Sequence, residues 1–581
     1  MNMFTEVAQN LFTIPGGILV TTQDLRDSLE VEELRERWLR TRQNQIVEIC
    51  ANPSAKRVFT GSQIFSGITT SLQHACLELS RIEENCNSVW EFHTARGQIR
   101  RGSPTFGRIW ERGNGLSRYP YIDAESKKGD SPDATQQTRG SSPDSRVVSQ
   151  KLRAKPLADI YLPREVLTNP VASYLGCPPN LKIGWVTSSP ATGKTPNWNG
   201  KEVRSLSWSG HLNSFSLSET AALLEGIERR VGALESEPRS VLCKASELDG
   251  TILTPADFPP YPDAFYDVFG AKYNTDQPHE WVRVTRLADG EKAWIPREYV
   301  YYGQQMKYQP WAFSTSSGCA TGSTLAEAQL FGVLELIERD SFVGCWYASI
   351  NASPIDLSSI TSLEKLRVRS SLLGIELKCG LLPSIIGIPV VVSSALISDE
   401  VGPVLAVGAS CHPDITQAVS GAINEVWTYI NERAAFARNH RDKIEYLHSN
   451  PTLCASIEDH PLFGMYTTEQ AYLEFTGTDT SNSISFESDW QSWSEQPINE
   501  LLDYIITRLH NEDIDVWTHR QTSKFEQSLG LETVMTVSPN LIPIDFGWKQ
   551  QRVLQSERLR KIIKEHHGSK AKPRLLPHSF S

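Results

Sequence analysis

The stretch FSTSSGCATGSTLAEAQLFGVLELIERDSFVGCWYA, residues 313–348, decides the fold prediction for this 581-residue chain. A segment rich in Gly and Ser leads into apolar residues at helical spacing, which predicts a helix over 324–348. This helix carries an E-x-x-E-R unit at Glu335, Glu338 and Arg339. Residues three and four apart share a helix face, so we expect these three side chains to project together.

An earlier stretch repeats this arrangement. The segment SLSWSGHLNS leads into a predicted helix over 217–234, whose own E-x-x-E-R unit is Glu225, Glu228 and Arg229. The two units are 335 − 225 = 110 residues apart. A single unit is usually a surface ion pair worth about 0.3–0.5 kcal/mol. Two copies favour a shared cation, because neighbouring carboxylates repel and Mg²⁺ prefers oxygen ligands completed by substrate phosphate.

Further helices and strands alternate with these units. Helical patterns cover 414–438 and 498–511, and strand-like runs cover 404–409 and 513–518. We therefore predict an α+β (mixed α/β) fold with internally repeated strand–loop–helix units. The apolar stretch 381–397 is interrupted by Pro and Gly, which favours buried strands over a membrane span.

Composition divides the chain into three parts. Residues 123–150 consist mainly of Ser, Asp, Gly, Pro and Gln and have little apolar surface to bury, so we predict a flexible linker over 123–156. Residues 1–122 form an N-terminal domain of unassigned fold, with partner or leader-peptide docking as its expected role. Residues 157–581 form the main domain.

Charge and cysteine content exclude several classes of protein. The formal charge is 57 − 68 = −11, which argues against a nucleic-acid binder that relies on bulk positive charge. The N-terminus lacks the pattern of a signal peptide, so we expect a cytoplasmic protein without membrane attachment. The ten cysteines include no C-x-x-C pair, which argues against a thiolate zinc site.

The segment SSPATGKT, residues 188–195, has part of a phosphate-binding loop pattern. Ser188 stands where that pattern requires its first Gly, and Pro196 opposes a following helix. We predict an ordinary loop there.

The 313–348 stretch resembles the signature of YcaO-domain proteins. GPVLAVGASCHPDITQAVSGAINEVW at 402–427 and VSPNLIPIDFG at 537–547 keep the order of that family, and the resemblance covers about 157–581. The sequence is most similar to the azoline-forming branch. The resemblance implies an ATP- and magnesium-dependent cyclodehydratase. Such an enzyme converts Cys, Ser or Thr of a ribosomally made precursor peptide into azolines by phosphorylating the backbone amide oxygen.

The resemblance also implies which residues bind the cofactors ATP and Mg²⁺. The magnesium ligands fall on Glu225, Glu228, Glu335 and Glu338, and the ATP contacts on Ser323, Glu327, Arg229 and Arg339. Among the departures of the chain from the family pattern, Ala221 replaces a Ser, His211 replaces a Lys, and Ile430 replaces an Arg. Arg433 lies three residues further and is a candidate substitute for the missing Arg.

The C-terminal residues KAKPRLLPHSFS resemble the proline-rich tail of azoline-forming relatives, although Ser579 and Ser581 stand where two prolines are usual. The resemblance implies that the tail enters the cleft and brings the catalytic groups, His578 or the Ser581 carboxylate, near the cyclising amide. An ordinary frayed terminus is the alternative.

Other interpretations remain open at the sequence level. Backbone thioamide or amidine formation belongs to the same family, and a divergent, non-catalytic scaffold that binds peptide or a partner is a different class. The resemblance implies a precursor peptide with a leader and a ThiF-like leader-binding partner, and it allows a flavin dehydrogenase and a homodimer.

Limited proteolysis tests the predicted linker. Cleavage should occur first within 123–150, because this segment has little surface to bury, and should leave a stable fragment that begins near residue 150. Gel electrophoresis with mass spectrometry identifies the fragment. Degradation of 157–581 before any cut in 123–150 would contradict the domain boundary.

Overall fold

The computed structural model describes part of the chain. The described residues are 5–8, 11–14, 17–21, 34, 37, 38, 40, 41, 89–93, 98–102, 152–171, 173–183, 188–198, 203–233, 239–269, 272–302, 311–398, 402–477 and 489–580. Most of the predicted linker, up to residue 151, and Ser581 lie outside them.

Four sheets form in the described residues. An antiparallel meander contains β1–β5, at Thr5–Ala8, Leu11–Ile14, Gly17–Thr21, Val89–His93 and Gln98–Gly102. An antiparallel three-stranded sheet contains β6–β8, at Asn180–Leu181, Ala191–Trp198 and Val203–Gly210.

The two remaining sheets form the centre of the main domain. The larger one has the order β10-β12-β11-β18-β19-β13, with β9 also paired to β11. Its strands β9–β13, β18 and β19 are Val241–Cys243, Thr251–Ile252, His279–Arg286, Lys292–Pro296, Cys319–Gly322, Trp517–Arg520 and Glu532–Val537. The smaller one is antiparallel, with β14–β17 at Ser353–Pro354, Glu376–Leu382, Val390–Ser398 and Pro403–Cys411.

The helices of the described residues vary from one turn to seven. In chain order, α1–α11 are Arg164–Leu167, Phe215–Ala233, Asp263–Phe269, Leu325–Tyr347, Glu364–Leu372, Ile415–Asn439, Arg441–Ser449, Gln470–Glu474, Ile498–Asn511, Lys524–Ser528 and Glu557–His567.

Helices and sheets alternate through the main domain. Helix α2 contacts β7 and β8 on one side and β13 and β19 on the other. Helix α4 contacts β13 and β19, and also β16 and β17, whereas α6 covers β15–β17. The predicted α+β class and the repeated strand–loop–helix unit are confirmed, because β8 leads into α2 as β13 leads into α4.

Most sequence-based elements match the structure, and two need correction. The four predicted long helices lie within a residue or two of α2, α4, α6 and α9, and the stretch 381–397 falls mainly on two strands, β15 and β16. The loop predicted at SSPATGKT is wrong, because Ala191–Trp198 is a strand that pairs with β8 even at Pro196. The strand predicted at 513–518 begins only at Trp517.

No helix in the described ranges is both long and apolar enough to cross a bilayer.

The backbone approaches itself closely where the loop before β13 passes β19. Gly318 has φ +85°, and a Cβ there would lie 2.1 Å from the carbonyl oxygen of Thr536. The Gly318 carbonyl accepts a hydrogen bond from the Thr536 amide at 2.8 Å. Only glycine allows both this conformation and this contact.

Replacing Gly318 with alanine tests this contact. Gly318→Ala should lower the free energy of unfolding by about 1–3 kcal/mol more than Gly250→Ala, the cost of forcing an atom into a packed site. Gly250 is the matched control, because its φ is also positive, at +91°, but no atom lies within 4 Å of the position that a Cβ would occupy. Chemical denaturation measures both variants. Equal destabilisation would show that the close approach does not constrain the fold.

Candidate active site

Helices α2 and α4 meet at a cavity of about 270 Å³. Helix α2 contributes Ala221, Leu224, Glu225 and Glu228, helix α4 contributes Phe331 and Glu335, and the remaining walls are Arg153, Cys319, Ala320 and Thr321. Three of the four predicted carboxylates therefore line one space. The small side chain of Ala221 helps to keep that space open.

The first glutamate of each E-x-x-E-R unit is held in the same way. Glu225 accepts hydrogen bonds from Arg229 at 3.0 and 3.2 Å on Oε1, and from the Ser209 amide at 2.9 Å on Oε2. Glu335 accepts from Arg339 at 3.2 Å on Oε1 and from the Gly318 amide at 3.1 Å on Oε2. The sequence repeat is thus also a repeat of side-chain geometry.

The second glutamates differ in their surroundings. Glu338 accepts from Arg339 at 2.6 Å and from the Cys411 amide at 3.1 Å, and it does not line the cavity. Glu228 lies in the cavity, and its pKa is raised to about 8, mainly by burial; Arg229 lowers this pKa, and Glu225 and Glu335 raise it. The raised pKa favours the protonated form of Glu228, whereas a bound cation would favour the carboxylate.

The cavity fits Mg²⁺ in its donor chemistry. Within the part of the chain that the structure describes, no three His, Cys, Asp or Glu side chains are grouped tightly enough to hold an ion alone. Mg²⁺ is commonly bound by one or two carboxylates, with substrate phosphate oxygens and water completing its shell. Converging carboxylates, one with a raised pKa, match that requirement.

The predicted ATP contact Glu327 is enclosed by the chain itself. Its carboxylate is fully buried and accepts from Arg153 at 3.3 Å, the Ala154 amide at 3.1 Å and the Ser323 amide at 3.2 Å. The Ser323 hydroxyl finds no hydrogen-bond partner in the described ranges. Glu327 thus fixes both the loop before α4 and the last residues of the predicted linker.

Arg153 is a site residue that sequence reasoning missed. It lies in the segment predicted as linker, yet its guanidinium lines the cavity and lies 5.0 Å from the centre of the Phe331 ring. A composition rule that averages over a window cannot detect one ordered cation at the end of a polar segment.

Two of the positions that depart from the family pattern, Ala221 and His211, lie near Glu225 of the first unit. The His211 imidazole is 2.8 Å from the Ser209 hydroxyl and 3.3 Å from the Tyr429 hydroxyl, and burial lowers its pKa. Ile430 is fully buried in the core, whereas the Arg433 guanidinium lies 5.6 Å from the Tyr429 ring.

A further carboxyl group, that of the half-buried Glu425, completes the surroundings of Arg339. It accepts from the Ala409 amide at 3.0 Å. Burial raises its pKa to about 7, while the Arg339 guanidinium lowers it. The sequence showed Glu425 within the altered family motif, but not that it lies beside the second unit.

The C-terminal tail packs against α4 on the side of Phe342. The His578 imidazole is fully buried, and its Nε2 lies 3.3 Å from the Asp545 carbonyl oxygen. Phe580 is also buried, and its ring centre lies 4.3 Å from the Arg339 guanidinium carbon. In this conformation Phe580 brings the tail into contact with Arg339 of the second unit. His578 is packed in the protein interior and does not line the cavity.

Comparison with known proteins identifies the class. A family model described as YcaO cyclodehydratase, ATP- and Mg²⁺-binding, matches residues 209–542. This is more than half of the chain, which therefore belongs to the YcaO family. ATP and Mg²⁺ are the cofactors of this family, and the chain is an ATP-dependent cyclodehydratase in this general sense. No curated protein matches the chain in sequence.

Two solved heterocyclase structures share the fold of this chain. A heterocyclase in complex with substrate and cofactor has a TM-score of 0.71 at 16% identity, covering 98% of this chain and 77% of its own. The heterocyclase TruD has a TM-score of 0.61 at 16% identity, covering 98% and 73%. YcaO from Methanopyrus kandleri bound with AMPPCP and Mg²⁺ has a TM-score of 0.47 at 17% identity, covering 68% and 95%.

The raised pKa of Glu228 gives a prediction on stability. Because this pKa is about 8 in the folded protein against an ordinary 4.5, the folded state keeps a proton that the unfolded chain loses in that interval. Stability without Mg²⁺ should therefore fall as the pH rises from about 4.5 to about 8, and Glu228→Gln should reduce this fall. Tm measured across the interval in EDTA gives the slope. Glu445→Gln, on an exposed helix pair, is the control, and equal slopes in all three proteins would contradict the prediction.

Proposed function

We propose that the chain is an ATP- and Mg²⁺-dependent cyclodehydratase that converts Cys, Ser or Thr residues of a ribosomally made precursor peptide into azolines. The observation that carries the proposal is the convergence of Glu225, Glu228 and Glu335 on one cavity from two E-x-x-E-R helices. Fixed carboxylates around an open space suit a nucleotide whose phosphates need charge neutralisation.

The proposed reaction removes the oxygen of a peptide carbonyl. The thiol or hydroxyl of the precursor side chain loses its proton and adds to the preceding carbonyl carbon, which turns the C=O double bond into a single bond. The resulting oxygen attacks the γ-phosphorus of ATP, and the bond from that phosphorus to ADP breaks. Loss of the amide proton and departure of phosphate then form the C=N bond of the ring. Phosphorylation is needed because the unactivated oxygen is a very poor leaving group.

The residues of the site have separate roles in this proposal. Glu225, Glu228 and Glu335 would hold Mg²⁺, which supplies charge neutralisation to the phosphates when bound. Glu338, the fourth ligand that the family resemblance implies, does not line the cavity and would act on the site through Arg339. Arg229 and Arg339 remain protonated: burial acts to lower the pKa of each, but Glu225 raises that of Arg229 and Glu338 that of Arg339, and both end above the usual value. They orient the carboxylates, while Ser323 and Glu327 order the loop that would meet the nucleotide.

The tail and the partners complete the proposal. Residues 577–581 would bring the Ser581 end near the cyclising amide, with His578 setting the path of the tail.

The natural partners would be a precursor peptide with a leader and a ThiF-like leader-binding protein in a cytoplasmic, bacteriocin-type pathway. The proposal is also compatible with a further partner, a flavin dehydrogenase that oxidises azolines, and with a homodimeric state of this chain. One heterocyclase of similar fold is described as bound to substrate and cofactor.

A non-catalytic scaffold that binds peptide is the second candidate. It is favoured by Ile430, a fully buried apolar residue where relatives have a cation. Thioamide or amidine formation is a third outcome within the family. Incubation with ATP and precursor separates them: a scaffold hydrolyses no ATP, a cyclodehydratase removes one water per ring, and the third chemistry requires added sulfide or amine.

Substitution of the central carboxylate tests the proposed site. Glu335→Gln should lower peptide-dependent ATP hydrolysis by about a hundredfold or more, because the amide removes a negative charge from the magnesium site. Phosphate release with precursor peptide present measures the rate. Circular dichroism should be unchanged, because the amide can keep a hydrogen bond to the Gly318 N–H.

The control is a surface carboxylate that also pairs with an arginine four residues away on a helix, although in the reverse order along the chain. Glu445 pairs with Arg441 at i, i+4 on α7, and both side chains are exposed. Glu445→Gln should therefore retain the rate of the unmodified protein. If Glu335→Gln hydrolysed ATP at the rate of the control, the assignment of this carboxylate to the magnesium site would be wrong.

A further inference from the structure

Three side chains hold the backbone of the C-terminal tail at three successive carbonyl groups. Trp346 Nε1 donates to the Leu576 carbonyl at 2.9 Å. The Tyr472 hydroxyl donates to the Pro577 carbonyl at 2.6 Å. His460 Nδ1 lies 2.8 Å from the His578 carbonyl. We call Trp346, Tyr472 and His460 the tail clamp.

The surroundings of His460 fix it as a donor. The Gly547 amide donates to His460 Nε2 at 2.8 Å, so Nε2 accepts and the proton of the neutral ring is on Nδ1. The ring is fully buried, and burial lowers its pKa to about 4. His460 is therefore a neutral, permanently oriented donor to the tail.

The clamp controls where Phe580 lies. Two residues beyond the last clamped carbonyl, the Phe580 ring is buried, with its centre 4.7 Å from that of Phe342 and 4.3 Å from the Arg339 guanidinium carbon. A cation over an aromatic face is attracted to it, and more strongly where water is excluded. Phe580 thus covers the arginine that also bonds to Glu335 and Glu338.

We propose that Trp346, Tyr472 and His460 are positioning residues that set the register of the tail. In this register Phe580 supports Arg339 and, through it, the carboxylates of the second E-x-x-E-R unit. Pro577 is the only proline between residues 576 and 580, so prolines restrict the backbone of this segment little. The three side-chain donors supply the further restriction. The inference rests on the proposed function for its meaning in catalysis, but the clamp and its effect on the tail are independent of that function.

The first experiment removes a single donor. Tyr472→Phe deletes the hydroxyl that bonds to Pro577 and keeps the ring, which packs on Trp346 with centres 4.8 Å apart. Hydrogen–deuterium exchange of peptides spanning 572–580 should become faster. The Mg²⁺ concentration for half-maximal ATP turnover should rise about three- to tenfold, the factor expected for loss of one buried hydrogen bond.

Tyr261→Phe is the matched control. The Tyr261 hydroxyl is also buried; it donates to the Phe313 carbonyl at 2.7 Å and accepts from the Phe313 amide at 2.9 Å, so its hydrogen bonds among the described residues go to Phe313 and not to the tail. This variant should leave both tail exchange and the Mg²⁺ requirement unchanged. Equal effects of the two substitutions would mean that general loss of stability explains the result, and the proposal would be overturned.

A double-mutant cycle tests the route through Phe580. If the clamp acts by placing this ring, Tyr472→Phe should add nothing to the higher Mg²⁺ requirement of Phe580→Ala. Additive effects would overturn that route. If the unmodified protein turns over no ATP, the proposed function fails, yet tail exchange in Tyr472→Phe still decides whether the clamp exists, because that measurement needs no substrate.

Discussion

The structure depends on one constraint: carboxylates that are largely withdrawn from water must each be given hydrogen bonds and a nearby cation. An uncompensated buried charge is strongly destabilising, so the surrounding backbone has to supply donors at fixed positions. Strand β8 supplies an amide to Glu225, the loop before β13 supplies one to Glu335, and β17 supplies one each to Glu338 and Glu425. Each supporting amide belongs to a sheet or loop that packs against the helix carrying the carboxylate.

This requirement explains why the helices lie between sheets. Helix α4 contacts β13 and β19 as well as β16 and β17, so its carboxylates receive donors from both directions. The compensation is nevertheless incomplete at Glu228, where burial and two neighbouring carboxylates keep the pKa near 8. Under the proposed function, such a carboxyl beside an open volume would exchange its proton for a metal ion.

Segments distant in sequence meet on the same helix. Arg153 reaches Glu327 near the start of α4, and Phe580 covers Arg339 further along it. Hydrogen bonds rather than apolar burial alone set the path of each segment. For the tail this means that three donors specify which residue faces the arginine, since a shift by one position would leave buried carbonyls without partners.

The sequence by itself determined the four long helices, the strand at 404–409 and the two E-x-x-E-R units, because periodicity and motif spacing are local properties. It also identified the family, since the order of motifs is kept along the chain. It could not show that Glu338 lies outside the cavity whereas Glu228 lies inside it, because helix phase relative to a partner element is set by packing. It also missed Arg153 and the strand at Ala191–Trp198, where pairing with β8 overrides the breaking tendency of Pro196. The clamp on the tail was decided only by tertiary structure, because its donors are more than 100 residues from the carbonyls they bond and no local signal links them.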